Sequence, residues 1–152
     1  MKSFLFVCTG NICRSPTAEA VFRERVNSNR LPFKYDSAGT HGYHVEEKPD
    51  YRSIDIAQKY NVDMSGIYSR KFELSDFRDF DYLIAMDKGH VREMRALSSS
   101  SEDINKIKLL LDYHSDHQGM DVPDPYYGGL EDFQNTYELI EKGIDSMIEE
   151  LS

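Results

Sequence analysis

Phe4-Leu5-Phe6-Val7 is a wholly apolar run of aromatic and branched residues, and it predicts a short strand buried on both faces. The character then changes within one residue. Cys8 opens a small loop holding Gly10 and Asn11, the residue types most tolerant of positive φ. Arg14 closes the loop, and Ser15-Pro16-Thr17 opens a helix, since proline is accommodated only in a first helical turn. Strand, tight loop and helix N-terminus follow one another without a linker, and the rest of the chain must be arranged around them.

Such a junction suits an anion. Loop N–H groups and a helix N-terminus converge on one spot with partial positive charge. Thr9, Gly10, Asn11, Ile12 and Cys13 supply the loop, and Arg14 adds a planar fork matched to two phosphate oxygens. The same field favours Cys8 as a thiolate, a nucleophile beneath a bound phosphoryl group, with Ser15 able to donate a hydrogen bond to it. The plainer reading makes Cys8 an inert buried cysteine and Arg14 a surface residue. The agreement of strand, loop glycine, asparagine and Ser-Pro favours the chemical one.

Elsewhere the pattern repeats strand and helix. A helix is expected from about Pro16 to Asn27, with Ala18, Val21 and Phe22 inward and Glu19, Arg23 and Glu24 outward. Phe33 to Ala38 reads as a second strand, Tyr82 to Met86 as a third and Ile107 to Leu111 as a fourth. A helix after Asp50 should turn Ile54, Ala57 and Gln58 to one face, residues 88–97 read as another, and Ser98 to Ser101 as a surface loop. Leu130, Phe133, Tyr137, Ile140, Ile144, Met147 and Leu151 recur at spacings of three and four, the stripe of a long amphipathic helix. Strands separated by helices predict a parallel α/β sheet with right-handed crossovers, in a single domain over residues 1–152.

The formal net charge of −9 argues against a nucleic-acid partner. No apolar run is long enough to span a membrane, and Met1-Lys2-Ser3 before the strand does not read as a signal peptide, so a cytoplasmic protein is expected. The cysteines, Cys8 and Cys13, are too few for a zinc ribbon or disulfide scaffold. Cys13 is either a small core residue or a partner for an oxidised Cys8. His114-Ser115-Asp116-His117 assembles no coordination shell, and no metal or cofactor is expected.

At three places the chain resembles the low-molecular-weight protein tyrosine phosphatase family. Residues 7–16 with Ala18-Glu19 match its signature loop, Asp36-Ser37-Ala38-Gly39-Thr40 its second-strand segment, and Val122-Pro123-Asp124-Pro125-Tyr126-Tyr127-Gly128-Gly129 its acid loop. The resemblance implies a three-layer α/β/α fold with strand order 2-1-3-4. It implies hydrolysis of phosphotyrosine, and of aryl phosphates, through a cysteinyl-phosphate on Cys8. Arg14 would clamp phosphate, and Asp124 would protonate the leaving phenolate and then deprotonate water. Ser37 would hold Asn11, while Tyr43, Tyr126 and Tyr127 would line a deep slot with Ile12. Asp87 would be an architectural partner near the acid loop. The resemblance also favours a reversible protective Cys8–Cys13 disulfide. The expected partner is a tyrosine-phosphorylated protein or peptide, with phosphate or another oxyanion in the loop, acting on a monomer or weak dimer.

Where relatives read Val-Gly-x-Pro-Pro-Asp, this chain has Val45-Glu46-Glu47-Lys48-Pro49-Asp50, which alters the rim rather than the catalytic loop. The nearest rival is a protein arginine phosphatase of the same family, which carries Thr where this chain has Ile12 and a single aromatic in the acid loop. Arsenate reductase needs further cysteines downstream, and none follows Cys13. A silent phosphopeptide-binding module needs neither Cys8 nor Asp124.

Overall fold

The computed structural model describes residues 1–152. One parallel sheet contains β1 (Ser3–Cys8), β2 (Lys34–Gly39), β3 (Tyr82–Ala85) and β4 (Ile107–Leu109), in the order β2-β1-β3-β4. The helices are α1 (Arg14–Asn29), α2 (Tyr51–Lys59), α3 (Asp76–Asp79), α4 (Lys88–Leu97), α5 (Ser101–Lys106) and α6 (Leu130–Leu151). This is the expected fold class and strand order.

Every residue of β1 is buried, and the period of two sorts its side chains. Phe4, Phe6 and Cys8 enter a cluster of 25 buried residues with Phe22 of α1, Ile56 of α2 and Tyr137 and Ile144 of α6. Leu5 and Val7 enter a cluster of nine on the other face, with Phe77 of α3 and Met94 of α4. Two covered faces make three layers, and a strand buried on both reads as a near-continuous apolar run, here Phe4 to Val7, with polar Ser3 bonded to Asp81 at its start. In register, Cys8 lies beside Gly39 and Val7 beside Ala85, so the loop after β1 emerges where β2 and β3 both end.

Three local expectations are corrected. The buried residues of α2 are Ser53, Ile56 and Ala57, while Gln58 is exposed and Ile54 only half-buried. This helix packs mainly on α6, whose position selects the contact stripe. The serine run is a loop only as far as Ser100, whose side chain accepts from the Asp103 N–H at 3.1 Å and starts α5 at Ser101. The fourth strand stops at Leu109, and Leu110–Tyr113 forms a 3₁₀ turn that buries Leu110 and Leu111 completely against α6. No helix is long and apolar enough to cross a membrane.

That turn meets α6 at Gly143. A Cβ there would stand 2.7 Å from Leu110 Cγ and 3.1 Å from both Leu110 methyls. In an open helix Gly→Ala stabilises by about 1 kcal/mol. Here overpacking reverses the sign, and Gly143→Ala should destabilise the protein by about 1–3 kcal/mol. A lower urea midpoint with unchanged slope is expected; a raised midpoint would mean that Leu110 yields freely.

Candidate active site

The loop after β1 is shaped by a chain of side-chain hydrogen bonds. Asn11 adopts the left-handed region at φ 57°, and it alone does so in this loop. Gly10 has no positive φ; its missing side chain instead leaves room for His44, whose Cδ2 would lie 3.1 Å from a Cβ. Asn11 Nδ2 donates to Ser15 Oγ (2.7 Å) and Ser37 Oγ (3.0 Å), and Asn11 Oδ1 accepts from the Arg70 N–H (3.0 Å). Ser37 Oγ donates to Glu19 Oε1 at 2.6 Å. Ser15 Oγ, already an acceptor from Asn11, lies 2.9 Å from Cys8 Sγ and 3.4 Å from the Ala38 carbonyl, so its one proton can serve either the sulfur or that carbonyl. Glu19 was expected outside and is buried instead, because Ser37 gives its carboxyl a partner; burial pushes its pKa up. Behind the loop, Gly39 approaches so closely that a Cβ would sit 2.7 Å from Thr9 O. Thr40 and His41 donate there to the carbonyls of Cys8 (2.8 Å) and Thr9 (3.0 Å).

Arg14 is the second organising group. It is only 3% exposed, and Nη1 is fully occupied by Asp87 Oδ2 (2.7 Å) and the Val122 carbonyl (2.9 Å). Asp87 does more than support architecture, since it pairs with this cation while its other oxygen caps α4 through the His90 N–H. Although burial works against it, the Arg14 bond and neighbouring His90 hold its carboxyl below the usual range. Nη2 lies 3.4 Å from Thr9 Oγ1 and 3.8 Å from Asp124 Oδ2. His90, absent from the sequence expectations, completes the cluster. Its Nδ1 accepts from the Asp87 N–H (3.2 Å), which assigns the ring proton to Nε2 and makes Nε2 the donor to Thr9 Oγ1 (2.9 Å).

These groups form the floor and one side of a slot of about 200 Å³. Cys8, Thr9, Gly10, Ile12, Cys13, Arg14, Tyr43, Asp124, Tyr126 and Tyr127 all line it. Asn11, Ser15 and Ser37 do not, and act from beneath. His44 lines the slot unforeseen, and its Nδ1 contacts Glu47 Oε2 at 2.6 Å. Tyr43 stacks on His41 with ring centroids 5.1 Å apart, and His41 reaches Glu93 at 3.1 Å. Tyr126 and Tyr127 meet edge to face at 4.9 Å, with Tyr127 96% exposed. Asp124, nearly half-exposed, has Oδ1 held by the Tyr126 N–H at 3.1 Å. Both cysteines are free; burial, then nearby Asp50, pushes the Cys13 thiol up to about 12.

The fold and the slot together define a parallel α/β protein with a loop bearing Cys8 and Arg14 between β1 and α1, faced by the Asp124 carboxylate from a second loop. The family model of the low molecular weight phosphotyrosine protein phosphatases matches residues 3–152, and the chain belongs to that family. It is 39% identical to the low molecular weight protein-tyrosine-phosphatase YfkJ of Bacillus subtilis, over 97% of this chain and 94% of that protein. The crystal structure of YfkJ superposes with a TM-score of 0.93, covering 99% of this chain and 94% of that one. The chicken (Gallus gallus) low molecular weight phosphotyrosine protein phosphatase is 42% identical, over 91% of this chain and 88% of its own. A Drosophila arginine phosphatase is similar at 30% identity and a TM-score of 0.90, covering 100% of this chain and 98% of that one.

Burial, reinforced by Arg14, pushes the His90 imidazole down to about 4, against the opposing pull of Asp87, Glu93 and Asp124. A depressed histidine contributes stability that is complete above the unfolded pKa near 6.5 and is lost as pH falls toward 4, about 3 kcal/mol in all. His90→Gln keeps an N–H donor and removes the titration. Its unfolding free energy should therefore fall less steeply than the parent's between pH 6.5 and 4. Equal slopes in urea titrations at each pH would show that His90 does not resist protonation.

Proposed function

We propose that the chain hydrolyses phosphotyrosine in proteins or peptides, with Cys8 as nucleophile, Arg14 as phosphate clamp and Asp124 as general acid and base. The observation that carries this reading is that Cys8 and Asp124, from distant parts of the sequence, line one slot together with Arg14, whose Nη2 stands 3.8 Å from Asp124 Oδ2. Phosphate enters against the N–H groups of Thr9 to Cys13 and the N-terminus of α1, which carries no acidic residue in its first turn. Cys8 Sγ attacks phosphorus, the bond from phosphorus to the phenolic oxygen breaks, and Asp124 gives its proton to that oxygen. Asp124 then takes a proton from water, whose oxygen attacks the cysteinyl-phosphate and releases inorganic phosphate. The Ser15 hydroxyl supports the departing thiolate.

A deep slot walled by Tyr43, Tyr126 and Ile12 favours phosphotyrosine, because a shorter phosphoserine would not reach the sulfur. Ile12 and the paired Tyr126 and Tyr127 also favour it over phosphoarginine. We read residues 1–152 as one domain, a monomer or weak dimer, and place it in the cytoplasm, where Cys8 stays reduced.

Purified protein should turn over phosphotyrosine peptides and leave phosphoserine and phosphoarginine peptides nearly untouched, with no loss on chelation. Cys8→Ser should abolish turnover while still binding phosphate. Arg14→Lys should fail badly, since an ammonium cannot reproduce Nη1 bound to Asp87 and Val122 with Nη2 turned to the slot. Turnover surviving in Cys8→Ser would remove the mechanism, and preference for phosphoarginine would reassign the substrate.

Mild peroxide should convert Cys8 to a sulfenic acid, which Cys13 attacks with loss of water to form a disulfide. Mass spectrometry should then find the pair two hydrogens lighter, with activity restored by thiol. A Cys13→Ser variant no more prone to irreversible loss than the parent would remove this protective role.

A further inference from the structure

Arg52 carries no signal in the sequence, yet it links the two halves of the slot, one directly and the other through Asp50. Asp50 donates its N–H to the Ile12 carbonyl at 2.8 Å, which ties the cap of α2 to the phosphate loop. The Asp50 carboxylate accepts from Arg52 N (2.9 Å), Nε (3.0 Å) and Nη2 (2.9 Å). From there the guanidinium reaches outward. Nη2 donates to the Tyr126 carbonyl (3.1 Å) and Nη1 to the Gly128 carbonyl (3.4 Å). The guanidinium carbon stands 4.3 Å from the Phe133 ring centre and 5.7 Å from that of Tyr126.

The acid loop has little else on that side. Val122 and Pro123, before Asp124, are tied to Met86, Arg14 and Thr136. Beyond Asp124, the only hydrogen bonds to Tyr126 and Gly128 from outside the loop and α6 are those of Arg52. The Tyr126 N–H in turn holds Asp124 Oδ1. One peptide unit thus separates the arginine's grip from the carboxylate.

We propose that Arg52 is a positioning residue that clamps the acid loop onto the phosphate loop and so fixes where Asp124 delivers its proton. The proposal rests on the phosphatase reading above. It separates two duties. Binding of phosphate, made by the loop and Arg14, does not depend on Arg52. Expulsion of a poor leaving group does, because a displacement of about 1 Å in a catalytic group can lower rates on the order of 10²-fold. A lysine cannot replace it, since one ammonium cannot hold Asp50 and two carbonyls in a plane while stacking on Phe133.

The test compares kcat/KM, which reports steps through phosphoenzyme formation, on phosphotyrosine and on an aryl phosphate with an acidic phenol. Parent, Arg52→Ala, Arg52→Lys, Asp124→Ala and the Arg52→Ala/Asp124→Ala double variant are measured, with inhibition by inorganic phosphate as the gauge of the intact loop. Both Arg52 variants should lose about 10- to 100-fold more on phosphotyrosine than on the activated substrate, with phosphate inhibition unchanged. In the Asp124→Ala background, Arg52→Ala should add almost nothing, because the proton donor is already gone. Equal losses on the two substrates, or a full further loss in the double variant, would overturn the clamp. If Arg52→Ala does not fold, Arg52→Lys carries the same comparison. If Asp124→Ala itself loses equally on both substrates, the general-acid assignment fails and the clamp fails with it. If Asp124→Ala is selective and the Arg52 variants are not, only the clamp fails.

Discussion

The site depends on keeping Asn11 in a left-handed backbone that a non-glycine residue adopts at a cost on the order of 1–3 kcal/mol. Three hydrogen bonds of its side-chain amide, two donated to Ser15 and Ser37 and one accepted from the Arg70 N–H, hold it there. Two of these partners are themselves anchored: Ser37 on buried Glu19, and Arg70 on Asp36 and Asp76. The strain is met by a network that spans β2, α1 and the segment after α2, so the loop is rigid before any ligand arrives. The same network ends on Cys8 Sγ, through Ser15. Shaping the loop and supporting the sulfur are therefore one device.

Arg14 couples that loop to the rest. A guanidinium this buried needs partners on several sides, and it finds them at the start of the loop after β1 (Thr9), at the β3–α4 junction (Asp87) and on the acid loop (the Val122 carbonyl). Satisfying one buried cation thus draws three separate segments into the positions from which they border the slot. Asp87 has a second duty as the cap of α4, and His90 answers it from three residues on while donating to Thr9. The parallel sheet makes this economical, because β1, β2 and β3 all end at the same edge.

What was legible in the sequence follows the range of the interaction. Cys8 to Pro16 could be read because strand, loop and helix start lie within a few residues and every level agrees. The long stripe of α6 was plain because its large buried side chains, Phe133, Tyr137, Ile140, Ile144 and Met147, sit three or four apart; Leu130, at its start, is exposed instead. Glu19 and His90 were hidden: each looks like a solvated residue until its partner, Ser37 or Thr9, arrives from another element. Arg52 was hidden for the same reason, since its partners Tyr126 and Gly128 lie on another loop. The buried face of α2 was missed because α6, not local hydropathy, selects it. Gly10 was expected to bend the chain and instead makes space, a distinction that only the position of His44 can decide.

The protein's charge poses a last question, since a net −9 surrounds a site that we propose holds an anion. Arg14 answers only part of it, because Asp87 at 2.7 Å already balances its charge and Asp124 stands 3.8 Å away. The attraction must come largely from oriented dipoles, the loop N–H groups and the N-terminus of α1, which act at contact distance and not beyond. Surface carboxylates further off are screened within about 10 Å at ordinary ionic strength. An anion is thus held by groups it must touch and receives little long-range guidance toward them. That division matches the geometry: recognition is vested in the depth and rigidity of the slot, and the acidic surface is free to serve solubility without competing for the phosphate.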